Sequence, residues 1–163
     1  EIIIDEVAYS SKWHAHSVKN KKGVALERID PDAATQDAAN WTSASETVGY
    51  GTPGYQNSQY KDASSGGATG IEPPVWIEES GSYTVSYLLD RPGYSCRAFV
   101  FNTSGLRVAD ISNHELLGIS GKITWSGVAN NGSPLQTGVY IFYAEIYHPE
   151  GTVKRFKKAF LIR

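Results

Sequence analysis

Two histidines stand one residue apart near the start of the chain, His14 and His16, directly after Trp13. On a strand their side chains would face the same side, which is the arrangement that paired metal ligands need. No cysteine or carboxylate joins them at ligand spacing in the sequence. We therefore predict a structural role for this pair and no bound metal or other cofactor.

Three aspartates, Asp30, Asp32 and Asp37, are the residues that could suggest a calcium site. A calcium loop of the EF-hand kind needs a third oxygen ligand, a central glycine and a terminal glutamate at fixed spacing. Ala34 stands in the place of the third ligand and Thr35 in the place of the glycine. The sequence therefore predicts that these carboxylates stabilise turns and cap short segments.

The segment Gly93–Arg97 superficially matches a nucleophile elbow, with Ser95 and Cys96 inside it. Arg97 takes the place of the second glycine, and no strand-to-helix pattern follows it. Cys96 is the one cysteine of the chain, which excludes an internal disulfide and a cysteine-based zinc cluster. We predict an ordinary strand start, a half-buried Cys96 and no catalytic residue.

A basic run with one aromatic residue, Lys154–Lys158, is the candidate for binding nucleic acid or an anionic surface. The whole chain has a net charge of −2, whereas domains that bind nucleic acid usually carry a basic stripe. We predict no nucleic-acid partner. The run fits the solvent face of a terminal edge strand, where Phe156 points inward and the lysines discourage aggregation.

Large aromatic rings are concentrated in the loops of the first half, at Trp13, Trp41, Tyr50, Tyr55 and Tyr60. Such rings could form a platform that binds carbohydrate, and Trp13, Trp41 and Tyr55 are the candidate residues for surface recognition. The alternative is that the rings anchor a long irregular segment by burying their large apolar area. The sequence favours anchoring.

The elements that must position these residues are strands. The chain has 16 glycines, 10 tyrosines and no methionine among 163 residues, which favours strands and turns over helices. No apolar run approaches the roughly 20 residues of a membrane-spanning helix. The chain begins at Glu1 without a methionine or a signal peptide, so we expect a fragment or a processed product.

A change of composition divides the chain. Residues 61–70, KDASSGGATG, hold no large apolar side chain and predict a flexible linker between a module over residues 1–60 and a domain over residues 71–163. In the second half about seven short strands with sharp turns predict an immunoglobulin-like β-sandwich. We expect Trp125 and Tyr140 in its core and one helical turn at His114–Leu117. The first half predicts strands at Ile2–Tyr9 and Gly23–Ile29.

Three stretches of the second half, SYTVSYLLDRPGYSCRAFVFNTSGLRVADI, ELLGISGKITWSG and NNGSPLQTGVYIFYAEIYHPEGTVKRFKKAFLI, carry a family resemblance. They resemble the immunoglobulin-like domain of the flagellar hook-capping protein FlgD, which also occurs at the ends of many secreted bacterial proteins. The family usually has Trp-Asp-Gly where this chain has Trp125-Ser126-Gly127. That departure concerns a turn contact and leaves the implied fold unchanged.

Pieces of the first half, IIIDEVAYSSKWH, GVALERID and NWTSASETVGYGTPGYQNSQ, resemble the C-terminal part of a bacterial lamin-tail domain, itself an immunoglobulin-like sandwich. The initial strands of that family have no counterpart in residues 1–60. The resemblance therefore implies a partial module whose sheet is completed by the second domain or by strand pairing with another copy of the chain. The alternative is that these residues stay irregular and are held against the second domain by Trp13, Trp41 and Tyr55. The pairing of the two families is similar to the C-terminal region of gram-negative surface proteins with type IX secretion.

Neither resemblance implies catalysis, because both families are regarded as adhesive or structural modules. We expect a non-catalytic module of an exported cell-surface protein, extracellular or associated with the outer membrane, with a protein or a cell-surface glycan as partner. Two alternatives stay open. The ending resembles the last strands of sorting domains, which would be read by type IX secretion machinery, and the aromatic content fits an accessory carbohydrate-binding module of an upstream enzyme.

Overall fold

The computed structural model describes residues 5–61 and 68–163. Over these residues the chain is mostly β-structure, with short 3₁₀ helices at Ser11–Trp13, Ala38–Asn40 and Glu46–Val48. The described residues form ten strands, numbered β1 to β10 in chain order, with the bounds Leu26–Arg28, Trp41–Ser43, Gly70–Ile71, Val75–Ile77, Ser82–Leu88, Ser95–Phe101, Arg107–Leu116, Ser120–Trp125, Gly138–Tyr147 and Val153–Ile162.

Strands β3 to β10 form a two-sheet sandwich of the immunoglobulin type. One sheet has the strand order β10-β9-β6-β7, and every pair in it is antiparallel. In the other sheet β5 pairs with β8 on one side and with the short strands β3 and β4 on the other. The predicted all-β sandwich for residues 71–163 is confirmed.

Alternation of side chains along the strands builds the core of the sandwich. In β9 the side chains of Phe142, Ala144 and Ile146 are buried, and those between them are more exposed. Side chains two residues apart on a strand share a face, so this period places the apolar set between the sheets. Cys96 and Tyr94 are fully buried in the same core.

Of the two aromatic residues predicted in the core, only Trp125 lies there. Its ring packs against Tyr83 at 5.5 Å and Phe160 at 6.3 Å between centroids. Tyr140 is half-buried at the margin of the core, and its hydroxyl donates a hydrogen bond to the Gln136 carbonyl oxygen at 3.1 Å. The prediction for Tyr140 was wrong because its polar end reaches an exposed backbone acceptor.

The first half of the chain is organised around one buried carboxylate. β1 and β2 pair over only three residues each, and Glu27 in β1 is 3% exposed. Its carboxylate accepts hydrogen bonds from Thr52 Oγ1 and Ser58 Oγ, each at 2.6 Å, and from the Gln59 amide at 3.0 Å. Because a buried charge is tolerated only when it is so partnered, Glu27 fixes the loop that carries these three donors.

This first half is hydrogen-bonded to the sandwich at the turn that joins β7 to β8. The contacts use buried groups on both sides and are Ser45 Oγ to Leu116 O at 3.0 Å, Gln59 Nε2 to Leu117 O at 3.0 Å, and Ile119 N to Ser58 O at 2.8 Å. Gly118 lies under this contact, and a Cβ built there would be 2.6 Å from the Ser58 carbonyl oxygen. The close approach of the two backbones therefore requires glycine at this position.

The predicted linker, residues 61–70, lies mostly outside the described residues, since residues 62–67 are not described. Its last residue, Gly70, opens β3 and pairs with Leu88. Thr69 donates a hydrogen bond to Asp90 and accepts one from Lys154. Thr69 and Gly70 therefore belong to the sandwich, and both the linker and the division into two domains stay predictions.

Two predicted elements are absent from the part of the chain that the structure describes. Residues 5–10 have no regular secondary structure, so the strand predicted at Ile2–Tyr9 is not seen over its described residues. The helical turn predicted at His114–Leu117 is wrong, because β7 runs on to Leu116. His114 has a φ of 65°, and this left-handed residue distorts the strand locally.

Candidate functional site

The aromatic residues predicted for surface recognition do not form one platform. Trp13 and Trp41 stack with their ring centroids 6.2 Å apart and an interplanar angle of 29°. Trp41 Nε1 donates a hydrogen bond to the Thr35 carbonyl oxygen at 2.8 Å, and both rings are half-buried. Tyr55 is 84% exposed and contacts neither ring among the described aromatic pairs. The tryptophan pair anchors the loops, and a recognition role for these three residues stays a prediction.

The two histidines of the His-x-His pair have different surroundings. His14 Nδ1 lies 2.9 Å from Ser43 Oγ, and burial, reinforced by the charge of Lys21, lowers the pKa of His14. His16 is exposed. Over residues 5–61 and 68–163, no group of three His, Cys, Asp or Glu side chains is placed to hold a metal ion.

We expect purified protein to contain no stoichiometric zinc, because His14 is engaged with Ser43 and no third ligand converges on the pair. Elemental analysis after dialysis against zinc checks this. The His14→Ala variant serves as the control. One zinc per chain in the parent protein, lost in this variant, would contradict the prediction.

Two of the three aspartates, Asp30 and Asp37, act as turn and cap acceptors. Asp30 Oδ1 accepts a hydrogen bond from the Asp32 amide at 2.8 Å. Asp37 caps the 3₁₀ helix Ala38–Asn40 by accepting a hydrogen bond from the Ala39 amide at 2.9 Å. These local bonds are those that Asx turns and helix caps make, so the structure gives the cluster a local backbone role.

Cys96 lies on the second residue of β6 and is fully buried, deeper than the half-buried position predicted. Burial, together with the negative charge of Glu115, raises the pKa of the Cys96 thiol to about 12. A thiol with a raised pKa is protonated at neutral pH and is a poor nucleophile.

Native protein at neutral pH is therefore expected to leave Cys96 unmodified by a water-soluble disulfide reagent such as DTNB. Denatured protein should react with one equivalent, because the thiol then regains an ordinary pKa and access to water. The release of the chromophore is followed with and without denaturant. It measures the rate at which the thiol reacts in the denatured and in the native protein. Rapid reaction of the native protein would show that the thiol is reached by solvent.

β10 is an edge strand, as predicted, but the basic run is not confined to its solvent face: Lys154 and Lys158 lie on the half-buried side with Phe156. Lys154 Nζ lies 2.9 Å from Asp90 Oδ1, and Arg155 Nε lies 2.8 Å from Glu145 Oε2. Hydrogen bonds from Thr69 and then from Lys154 hold the pKa of Asp90 well below its usual range. Phe156 is half-buried against the core. The run is therefore partly neutralised and forms no continuous basic face.

A polar cleft that no sequence pattern indicates lies between the first half of the chain and the sheet β10-β9-β6-β7. It encloses about 660 Å³, a size common for ligand sites. Its lining comes from four separate segments and includes His16, Lys19, Lys22, Tyr50, His114 and Tyr147. Because these segments are far apart in the sequence, no sequence pattern joins them; His16 stands out only in the His-x-His pair and Tyr50 only among the loop aromatics.

Two residues of this cleft have strained backbones. Tyr50 has a φ of 64° and His114 a φ of 65°, and they are the two non-glycine residues with positive φ in the described chain. Such strain persists only where the surroundings enforce it, and it is enriched at functional sites. Burial and a hydrogen bond with Glu46 raise the pKa of Tyr50 to about 12, so this phenol stays neutral.

The inner wall of the cleft combines two rings with a side-chain amide. The rings of His114 and Tyr147 meet edge to face, with centroids 5.6 Å apart. His114 Nδ1 lies 2.7 Å from Asn113 Oδ1. The Tyr147 hydroxyl is buried and closed to a bound molecule, so this half-buried residue contributes its ring to the wall of the cleft.

A second groove, of about 690 Å³, lies at the opposite margin of the sandwich between β4 and the end of β10. Its lining includes Val75, Trp76 and Leu161, which are 54%, 42% and 48% exposed. Its backbone edges belong to short or terminal strands. It offers exposed apolar side chains together with the polar side chains of Glu78, Ser126 and Arg163.

Comparisons with known proteins give likeness only at the level of solved structures. No protein-family model matches the chain, and no curated protein matches it. FlgD from P. aeruginosa is 19% identical with a TM-score of 0.41, over 61% of this chain and 78% of that one. PorZ of Porphyromonas gingivalis, described as an essential bacterial surface component of the type-IX secretion system, is 16% identical with a TM-score of 0.35, over 64% of this chain and 13% of that one.

At these TM-scores neither likeness says what the chain does. The lamin-tail resemblance of residues 1–60 stays a prediction. No helix within residues 5–61 and 68–163 has the length and apolar character needed to cross a bilayer.

Proposed function

We propose that the chain is a non-catalytic structural and adhesive module of an exported cell-surface protein. The observation that carries this proposal is the buried contact between the first half and the sandwich, centred on Gly118 and the Ser58 carbonyl oxygen. A segment with little regular structure is thereby fixed to a rigid sheet and forms a shaped surface over it. Loops held on a rigid scaffold are the usual place for recognition.

Two further features fit an extracellular module. The single thiol is buried and has a raised pKa, so it resists oxidation and disulfide exchange. The edge strand β10 carries exposed Arg155 and Lys157, and charges on an edge strand oppose pairing with other chains. Both properties help a domain that must persist outside the cell without chaperones.

The test of adhesion uses the chain fused behind a fluorescent protein and mixed with intact gram-negative cells. We expect washed cells to retain the fusion and not the fluorescent protein alone. A panel of esterase, glycosidase and peptidase substrates should show no turnover above the same control. Absence of retention on every strain tested, or measurable turnover, would overturn the proposal.

A sorting role is a second candidate, favoured by the hairpin β9–β10. The two strands pair over ten residues each, and β10 has a free edge within the described residues. Deleting Gly138–Arg163 cannot test this role, because β9 is a central strand and its loss would unfold the sandwich. Exchanging exposed charges on β10 leaves the core intact and isolates the sorting signal.

The sharper sorting test is the pair of substitutions Arg155→Glu and Lys157→Glu, assayed for export of a passenger protein by a type IX strain. The matched control is Lys122→Glu, an exposed lysine on β8 of the other sheet. Loss of export with the β10 changes and not with the control would favour sorting. Unchanged export would leave adhesion as the role that fits the surface.

A further inference from the structure

The polar cleft has more positive than negative charge. Its lining contains Lys19 and Lys22, against the one carboxylate of Glu46. Both lysines are exposed, and no carboxylate of the described residues lies within salt-bridge distance of either. The whole chain has a net charge of −2. A local surplus of positive charge on a slightly acidic protein indicates a negatively charged ligand.

A third cation stands beside the cleft, on the outer face of the sheet. Arg97 in β6 pairs in register with Asn113 on one side and Glu145 on the other, and Asn113 lines the cleft. Glu145 is already engaged by Arg155. Arg97 has no ion pair among the described residues, and its Nε is buried without a hydrogen-bond partner. Tyr147 pairs with Ser95, so Arg97 and Tyr147 are diagonal neighbours on one face.

The wall of the cleft has the chemistry that a sugar ring requires. The Tyr147 and His114 rings offer apolar surface for the C–H groups of a pyranose. The exposed Asn113 amide offers hydrogen bonds to ring hydroxyls. A site with aromatic walls and a few convergent polar groups selects a small polar ligand.

An acidic peptide fits the cleft less well than a sugar does. Peptides that bind β-sandwiches commonly add a strand to a regular sheet edge. At this edge β7 is irregular, because its register with β6 shifts in three places and His114 is left-handed. The backbone donors and acceptors are therefore out of step with those of an added strand.

We propose that the cleft binds one acidic sugar unit of a cell-surface polysaccharide, a pyranose that carries a carboxylate. Lys19 and Lys22 contact the carboxylate from the rim, Arg97 adds positive charge outside the cleft lining, and the Tyr147 ring stacks on the sugar. This inference rests on the proposed adhesive function and names the chemistry of the partner. Binding should weaken as salt is added, because the rim charges are exposed.

The experiment uses the full chain and isothermal titration with trigalacturonic acid. Neutral galactotriose is the comparison for the carboxylate, and hexaglutamate is the comparison for charge without a sugar. We expect binding of trigalacturonic acid and none of the other two. Equal binding of galactotriose would overturn the role of the carboxylate, equal binding of hexaglutamate would overturn the role of the sugar, and no binding of trigalacturonic acid would overturn the proposal.

Two variants test whether the ligand binds in the cleft. The double change Lys19→Gln with Lys22→Gln is expected to weaken binding by about tenfold or more, since charge-assisted contacts are the strong ones. Asn113→Ala removes the exposed amide of the cleft wall and should weaken binding by a smaller factor. The matched control is Lys122→Gln with Lys157→Gln, two exposed lysines distant from the cleft lining, which should bind like the parent protein.

All four lysines are exposed, so these variants are expected to keep the parent melting temperature. If the double variant at the cleft binds trigalacturonic acid like its control, the cleft is not the site. Retention of that same variant on cells, measured with the fluorescent fusion, then separates the two proposals. If the variant is retained on cells and its affinity for the sugar is unchanged, the cleft is overturned as the binding site and the adhesive function stands.

Discussion

The Trp125→Ala substitution is expected to lower the free energy of unfolding by about 3–5 kcal/mol, the usual cost of truncating a buried large aromatic side chain. Trp125 is 9% exposed and contacts the rings of Tyr83 and Phe160. Its Nε1 donates a hydrogen bond to the Val128 carbonyl oxygen at 3.0 Å, which orders the turn after β8. The substitution therefore leaves a cavity and frees a turn.

Urea unfolding followed by tryptophan fluorescence and circular dichroism measures the loss. The matched control is Trp76→Ala, which removes the same side chain from a position that is 42% exposed. This control should cost clearly less, because part of the Trp76 ring already faces water. Equal losses for the two variants would mean that Trp125 is not a core residue.

The second large effect is expected from Gly118→Ala. The added Cβ would lie 2.6 Å from the Ser58 carbonyl oxygen, which is a backbone atom and cannot rotate away. The two halves must separate locally, which weakens the hydrogen bonds of Ile119 and Gln59 across the contact. Overpacking together with buried groups left unpaired predicts a loss of about 2–4 kcal/mol.

Amide hydrogen exchange gives a local measurement of this effect. The Ile119 amide donates to Ser58, so its protection should fall in the variant before that of the β9 amides. Gly138→Ala is the control, because its added Cβ would have its nearest contact at 3.7 Å. Unchanged protection of Ile119 in Gly118→Ala would show that the first half is not held at this turn.

The strands of the sandwich were largely predictable from the sequence. β5 alternates apolar with polar residues, β9 is a long run rich in β-branched and aromatic residues, and turn residues such as Asn131-Gly132 and Glu150-Gly151 bound β9. A strand with one face in the core imposes this period directly on the sequence. The error at His114–Leu117 came from a left-handed residue inside a strand, because a single positive φ leaves no periodic signal.

The first half was much less predictable, because buried polar contacts and not apolar periodicity hold it. Glu27 looks like an exposed charge in an imperfect strand, yet it is buried by donors from residues 52–59. Each of these bonds spans more than twenty residues. Local patterns carry no information about such partners, since the partners are chosen only when the chain has folded.

The sequence by itself determined the class of the molecule: an all-β sandwich over residues 71–163, a single thiol and no local motif for catalysis. Tertiary structure alone decided where ligands have access. It buried Cys96, stacked Trp13 on Trp41, and placed His16 but not His14 in the lining of the cleft. The physical reason is that strand periodicity is a local property of the chain, whereas a cleft built from four distant segments exists only after their backbones have packed together.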